Sequence, residues 1–305
     1  GGAMQVAIRS LLESGQTPVG YARQSLSDCA HYYAAGKGAR SMVVLFSGLT
    51  RRPGVPISCF LQSLRDDLYD VLMLQDPKKL HFDSGVPGFG SSFLELARRI
   101  EAFAETKGYT EIITYGVSMG GYPALRAGIL LGAKRAISIG GTYVWHVGRL
   151  IRNEPTSKAF DLLCPCYADT KTELVSVVAA KQKNDLRALE ILQATFPKCV
   201  AIKVNTDQHV VVAFFLRTHL LRLFHACLFE YWHDTTVRSG LLAIAEDAAN
   251  HIQWIEMRGS PNHKRQVNVL QQRLEQIQRS LSWRLTKPLR DVGSALRRLG
   301  LGRRP

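Results

Sequence analysis

The chain of 305 residues carries 39 Lys and Arg against 25 Asp and Glu, a formal net charge of +14, and 46% of it is hydrophobic. Such length and apolar content support a full buried core and exclude a disordered or fibrous chain. Twelve cations against two acids, Glu275 and Asp291, lie between Arg258 and Pro305, so this tail holds +10 and the other 257 residues only +4. An anionic partner is therefore expected for the tail and not for the body.

Gly1-Gly2-Ala3-Met4 reads as a cloning remnant ahead of a start at Met4, and no basic, apolar, small-residue series follows, so no secretory signal is expected. No run of about 18 apolar residues occurs, so no membrane-spanning helix is expected either. Cys29, Cys59, Cys164, Cys166, Cys199 and Cys227 are scattered through apolar surroundings, as reduced thiols of a cytoplasmic protein would be. Cys164-Pro-Cys166 has no Cys/His pair at zinc spacing, and no metal or cofactor is expected.

In chain order, Tyr21 to Ala35 reads as a helix covering one face. Ser41 to Phe46 is a buried strand that ends in Ser47-Gly48-Leu49-Thr50, and Asp70 to Leu74 is the next. After Gln75-Asp76-Pro77 comes a glycine-rich loop, Ser84 to Gly90, which either admits substrate close to the backbone or is a plain turn. Ser91 and Ser92 are placed to cap a helix whose apolar residues Phe93, Leu94, Leu96, Ala97, Ile100 and Phe103 fall near helical spacing. Strand Glu111 to Val117 runs into helix Tyr122 to Leu131, and Arg135 to Gly141 is again a strand. Thr142 to Lys171 lacks clean periodicity. Strand Leu174 to Ala180, helix Leu186 to Thr195, strand Cys199 to Val204 and helix Val210 to Phe224 follow. Strands and helices alternating at these lengths argue for an α/β protein with a parallel sheet covered on both faces.

At the centre stands Tyr115-Gly116-Val117-Ser118-Met119-Gly120-Gly121-Tyr122, a strand turning into a helix at a serine flanked by glycines two residues away on either side. A serine there must take a strained backbone to lift its hydroxyl above the sheet, and side chains at the flanking positions would strike the neighbouring strand and helix. The small residues Gly121 and Ala124 let the helix pack closely, and the helix start points its N–H groups at the hydroxyl. The G-x-S-x-G pattern in this setting resembles the nucleophile elbow of the α/β-hydrolase family, over roughly Ser41 to Leu223. The resemblance implies an α/β-hydrolase fold, a cap or substrate-shaping insert at residues 142–171, and a triad in the order Ser, acid, His.

With Ser118 as nucleophile, His209 is the candidate base, because it lies in the loop after the last strand, within reach of the strand ends. His31, His81 and His146 come too early in the order, His219 and His225 lie along a helix, and His233, His251 and His263 fall past the sheet. Asp185, after the penultimate strand, is the candidate acid that orients His209, although an Asp there also suits a helix cap. Asp207 is held in reserve, and Asp169 suits only an unusual acid position. An oxyanion hole needs two backbone N–H groups. Met119 supplies one, and Gly48 or Leu49 the other; side-chain identity does not choose between them.

In the tail, Val267, Leu270, Leu274, Ile277 and Leu281 step by three and four, which suits either a coiled-coil seam or an amphipathic helix. Ser280-Leu-Ser-Trp-Arg-Leu-Thr-Lys-Pro-Leu-Arg290 resembles a short S-x-S-W-R-x-T-x-P-L-R element at the ends of bacterial surface-polysaccharide enzymes. Pro288 to Pro305 is basic and amphipathic, with Leu289, Val292, Leu296 and Leu299 on one side, as suits docking on anionic lipid. No nucleic-acid motif accompanies it.

The division expected is residues 1–4 as the remnant, 5–227 as the hydrolase domain, 228–262 as a helical extension and 263–305 as the basic tail. The function expected is a cytoplasmic serine hydrolase or acyltransferase, peripheral to the inner membrane face through its tail. An acylated glycan or acyl donor would be its substrate, and a homo-oligomer would form through 263–282. A non-catalytic hydrolase-like scaffold for polysaccharide assembly is the alternative reading.

Overall fold

The computed structural model describes residues 20–141, 170–240 and 243. The expected insert, apart from Thr170 and Lys171, and the whole 263–305 tail lie outside them. Thr17–Leu221 forms one compact unit, which holds the entire sheet; Gly1–Gln16 and Arg222–Pro305 make up a second.

Among the described residues the sheet has eight strands: β1 (Ala22–Ser27), β2 (Ala30–Ala34), β3 (Ser41–Phe46), β4 (Tyr69–Leu74), β5 (Glu111–Val117), β6 (Arg135–Ile139), β7 (Glu173–Ala179) and β8 (Val200–Val204). Their spatial order is β1-β2-β4-β3-β5-β6-β7-β8. The β1–β2 and β2–β4 pairings are antiparallel, and every pairing from β4 to β8 is parallel. β3 and β4 are buried along their full length, as strands covered on both faces must be. This order, with the serine strand fifth, is the α/β-hydrolase fold.

Residues 21–35 are a hairpin and not the helix their composition suggested. Tyr32 and Tyr33 pair with β4, and Tyr32 packs edge-on against Phe103, so sheet burial decides the state where local propensity does not. The long helix expected from Val210 to Phe224 is two helices, α5 (Val211–Arg217) and α6 (Leu221–Phe229), separated by His219 in left-handed backbone at φ 57°.

Helices α2 (Phe93–Lys107), α3 (Gly121–Leu130) and α4 (Lys183–Thr195) cover one face of the sheet. Ser92 caps α2 through the Glu95 N–H while Glu95 accepts from the Ser91 N–H, and left-handed Gly108 ends the helix. α3 lies so close on β5 and β6 that the Thr114 hydroxyl donates to the Ala124 carbonyl at 2.6 Å. On the other face, Phe60 of α1 (Ile57–Gln62) meets the fully buried Tyr115 edge to face. The serine, its histidine and its aspartate therefore all come from segments following the C-terminal ends of parallel strands, where this class of fold places its sites.

Candidate active site

Ser118 follows β5 with φ at 53°, the left-handed region a residue with a Cβ enters only when its surroundings force it. One turn of 3-10 helix, Ser118–Gly120, joins it to α3. The flanking glycines are required by contact. A Cβ on Gly116 would lie 1.9 Å from the Gly120 carbonyl oxygen, and one on Gly120 would lie 2.2 Å from the Phe46 carbonyl oxygen. Neither position has room for one more carbon, and the tightness holds the serine in its strained state.

The Ser118 hydroxyl lies 2.8 Å from His209 Nε2, and His209 Nδ1 lies 2.7 Å from Asp185 Oδ1. With the aspartate ionised, Nδ1 carries the proton and donates to it, which leaves Nε2 as the acceptor for the serine hydroxyl. The residues come from three separate elements, 91 and 24 positions apart along the chain. Asp185 sits within the first turn of α4, where the helix dipole favours its charge, and not on the preceding loop. It does not cap that helix: Gln182 holds the cap position, without a side-chain bond. Asp185 is 2% exposed, and among the described residues its Oδ2 has no hydrogen-bond partner. Its charge is thus directed at one partner, the imidazole. Asp207 instead uses its backbone carbonyl to accept from Gln182 Nε2. Asp169 lies outside the described residues.

The loop after β3 closes on itself: the Gly48 N–H donates to the Arg52 carbonyl at 3.1 Å, and the Arg51 N–H returns to the Gly48 carbonyl at 2.9 Å. A Cβ on Gly48 would lie 3.7 Å from that of Ser118, so this loop borders the serine directly. Since the Gly48 N–H is engaged, Leu49 is the remaining donor of the two expected there. Met119, which follows the serine in the 3-10 turn, is buried.

His81, set aside on chain order, also touches the elbow. Its Nδ1 lies 3.2 Å from the Met119 carbonyl oxygen. The segment carrying it is organised by Asp76, a buried carboxylate that accepts from the backbone N–H groups of Lys78, Leu80 and Phe82 at 3.0, 2.7 and 2.9 Å. A short acidic side chain before Pro77 was the only sequence signal for this knot, and it does not reveal where the loop ends up. The glycines of the 84–90 loop serve the chain's own packing: Val86 and Gly90 exchange backbone hydrogen bonds, and a Cβ on Gly88 would lie 2.8 Å from that of Ser27. Among the described residues no three His, Cys, Asp or Glu side chains converge as a metal would require, and no helix is long and apolar enough to cross a membrane.

No family model matches the chain, and no curated protein matches it in sequence. Among solved structures it is similar to an esterase of Pyrococcus furiosus, at 12% identity and a TM-score of 0.44 over 68% of this chain and 89% of that one. Est1E from Butyrivibrio proteoclasticus gives 13% identity and 0.45 over 68% and 97%. The dienelactone hydrolase of Anabaena variabilis gives 14% and 0.41 over 75% and 94%.

Proposed function

We propose that the protein is a serine hydrolase or acyltransferase that works through an acyl-enzyme on Ser118. The observation that carries this reading is the continuous relay from Ser118 through His209 to buried Asp185, with both contacts at hydrogen-bond length on a strained elbow. As Ser118 Oγ bonds to an ester carbonyl carbon, its proton passes to His209 Nε2. Asp185 stabilises the imidazolium that results and fixes the tautomer that began the step. The carbonyl oxygen becomes an oxyanion facing the Met119 N–H and the Leu49 N–H. Collapse breaks the bond to the alcohol, which leaves with the proton from Nε2, and the acyl group stays on Ser118. Water or an acceptor hydroxyl then gives its proton to Nε2, bonds to the acyl carbon and returns Ser118 to its free state.

The short tail element resembling those of surface-polysaccharide enzymes supports an acylated glycan, or an acyl donor and a glycan acceptor, as the substrate class. The amphipathic basic segment after it supports docking at an anionic membrane face, and the heptad-like stretch supports self-association. Rapid mixing with 4-nitrophenyl acetate tests the chemistry. A burst of one nitrophenolate per chain, with one acetyl group on the Ser118 peptide in the quenched protein, is the expected result. Steady release without acetylated protein would contradict it. Adding an oligosaccharide acceptor then separates transfer from hydrolysis, because only transfer yields acetylated sugar.

A further inference from the structure

The near-neutral total charge of the body conceals an uneven distribution around the serine. Two loops border the elbow, one touching Ser118 through Gly48 and the other touching Met119 through His81. The first carries Arg51 and Arg52, the second Lys78 and Lys79, all four exposed and none ion-paired among the described residues. The acids on these loops are already committed. Asp76 is buried under three backbone N–H groups, and Asp83 pairs with Arg126 at 3.0 Å. Each cation pair also lies beside an exposed leucine, Leu49 at 53% and Leu80 at 40%.

These cations stand on a fixed backbone. Arg51, Lys79, His81 and Phe82 all have left-handed φ, between 55° and 64°. Such conformations cost about 1 kcal/mol or more each and persist only where neighbouring contacts enforce them. Here the enforcing contacts are the Asp76 knot, the Gly48–Arg52 closure and a bond from Gln75 Nε2 to the Arg51 carbonyl at 2.9 Å that ties the two loops together. Four cations without an ion-pair partner among the described residues are thus carried on one braced ledge, the two tied loops that border the elbow. Exposed lysine and arginine pairs on a mobile loop would be ordinary solubilising charge; strain maintained in both loops that touch the elbow is not explained by solubility.

We propose that this ledge selects anionic esters: the substrate carries a phosphate or carboxylate group near its scissile bond, and Arg51, Arg52, Lys78 and Lys79 hold it. The proposal rests on Ser118 acting on esters. The anion belongs to either half of the substrate, the alcohol or the acyl group, and one experiment separates these. Nitrophenolate release is followed for 3-acetoxy-4-nitrobenzoate, with its charge on the leaving group, and for mono-4-nitrophenyl succinate, with its charge on the acyl group, each against its own methyl ester.

For the full chain, one of the two anionic esters is expected to exceed its neutral counterpart about tenfold in kcat/KM at low ionic strength. That preference should shrink toward unity in about 0.5 M NaCl, where screening is nearly complete beyond a few ångströms. It should fall severalfold in Arg51→Gln/Arg52→Gln and in Lys78→Gln/Lys79→Gln, and return in Arg51→Lys/Arg52→Lys and Lys78→Arg/Lys79→Arg. Turnover of the methyl esters without any anionic preference would overturn the ledge and leave the serine chemistry standing. A preference unchanged by salt and by both Gln pairs would also overturn it, because the anion would then be held elsewhere. Release from none of the four esters, with Ser118 unacylated, would remove the ester reading and the ledge together.

Discussion

Two buried aspartates sit at opposite ends of the same sheet, and their partners make one structural and the other a candidate for catalysis. Asp70, at the start of β4, accepts from the Tyr109 hydroxyl at 2.5 Å, the Tyr32 hydroxyl at 3.3 Å and the Ala35 N–H at 3.1 Å. Its neighbours keep their protons: burial, and next the bond to Asp70, hold the Tyr109 phenol far above its ordinary range. Asp185 has one hydrogen-bond partner among the described residues, the imidazole of His209, whose other ring nitrogen lies 2.8 Å from the Ser118 hydroxyl. Similar burial gives a clamp in one place and a candidate relay in the other. What distinguishes them is the partner: phenols and a peptide N–H at Asp70, an imidazole that also meets a serine hydroxyl at Asp185.

The sharpest way to break this contrast is at the nucleophile. Ser118→Ala should lower ester kcat by about 10⁴-fold or more while leaving the unfolding midpoint within a degree or two, because the hydroxyl contributes little to packing. Next comes a crossed pair. Asp185→Asn should lower kcat by about 10⁴-fold by favouring the wrong tautomer, with stability little changed, whereas Asp70→Asn should cost about 2 kcal/mol in denaturant titrations and leave kcat of the folded fraction unchanged. Asp207→Asn should move kcat less than about twofold, since among the described residues only its backbone carbonyl is engaged. If Asp207→Asn were the more damaging of the two acid variants near the site, the relay would have to be redrawn.

Smaller effects come from ion pairs at the N-terminal edge of the strands. Arg135 on β6 is 1% exposed and donates twice to Glu173 Oε2 on β7, at 2.9 and 2.6 Å. Glu173→Ala should therefore destabilise by about 2 kcal/mol without touching turnover. Glu111 is the weakest case. The Lys134 ammonium, and then the Ser41 hydroxyl, hold its carboxyl below the usual range. Folding therefore favours its ionised form, so the contribution is present at neutral pH and lost as pH falls through the lowered folded value. Wild type and Glu111→Gln should differ slightly in unfolding midpoint at pH 7 and converge toward pH 3.

The elements legible in the sequence are those with an uninterrupted pattern and a sharp boundary. β3 and β5 match their expected limits at both ends, because each is an apolar run closed by serine or glycine, and the Ser91-Ser92 start of α2 follows from capping chemistry. That Ser118, His209 and Asp185 meet was legible because the chain order of the resembled family constrains the choice. The β1–β2 hairpin was not, since its tyrosines are decided by what β4 and α2 offer across the sheet and not by their neighbours in sequence. His81 and the Asp76 knot were hidden for a related reason. Left-handed backbone at Lys79, His81 and Phe82 has no glycine to announce it, and only tertiary contact makes it tolerable. Total charge is silent in a comparable way: a sum over 257 residues does not show that Asp76 and Asp83 are already engaged.

The central claim, an activated serine at the elbow, is tested most directly by a fluorophosphonate probe read out by intact mass and peptide mapping on the full chain. One adduct per chain is expected, on Ser118, formed rapidly in the wild type, slowly in Asp185→Asn and not at all in Ser118→Ala. A folded protein that takes no adduct, or takes it on another residue, would contradict it.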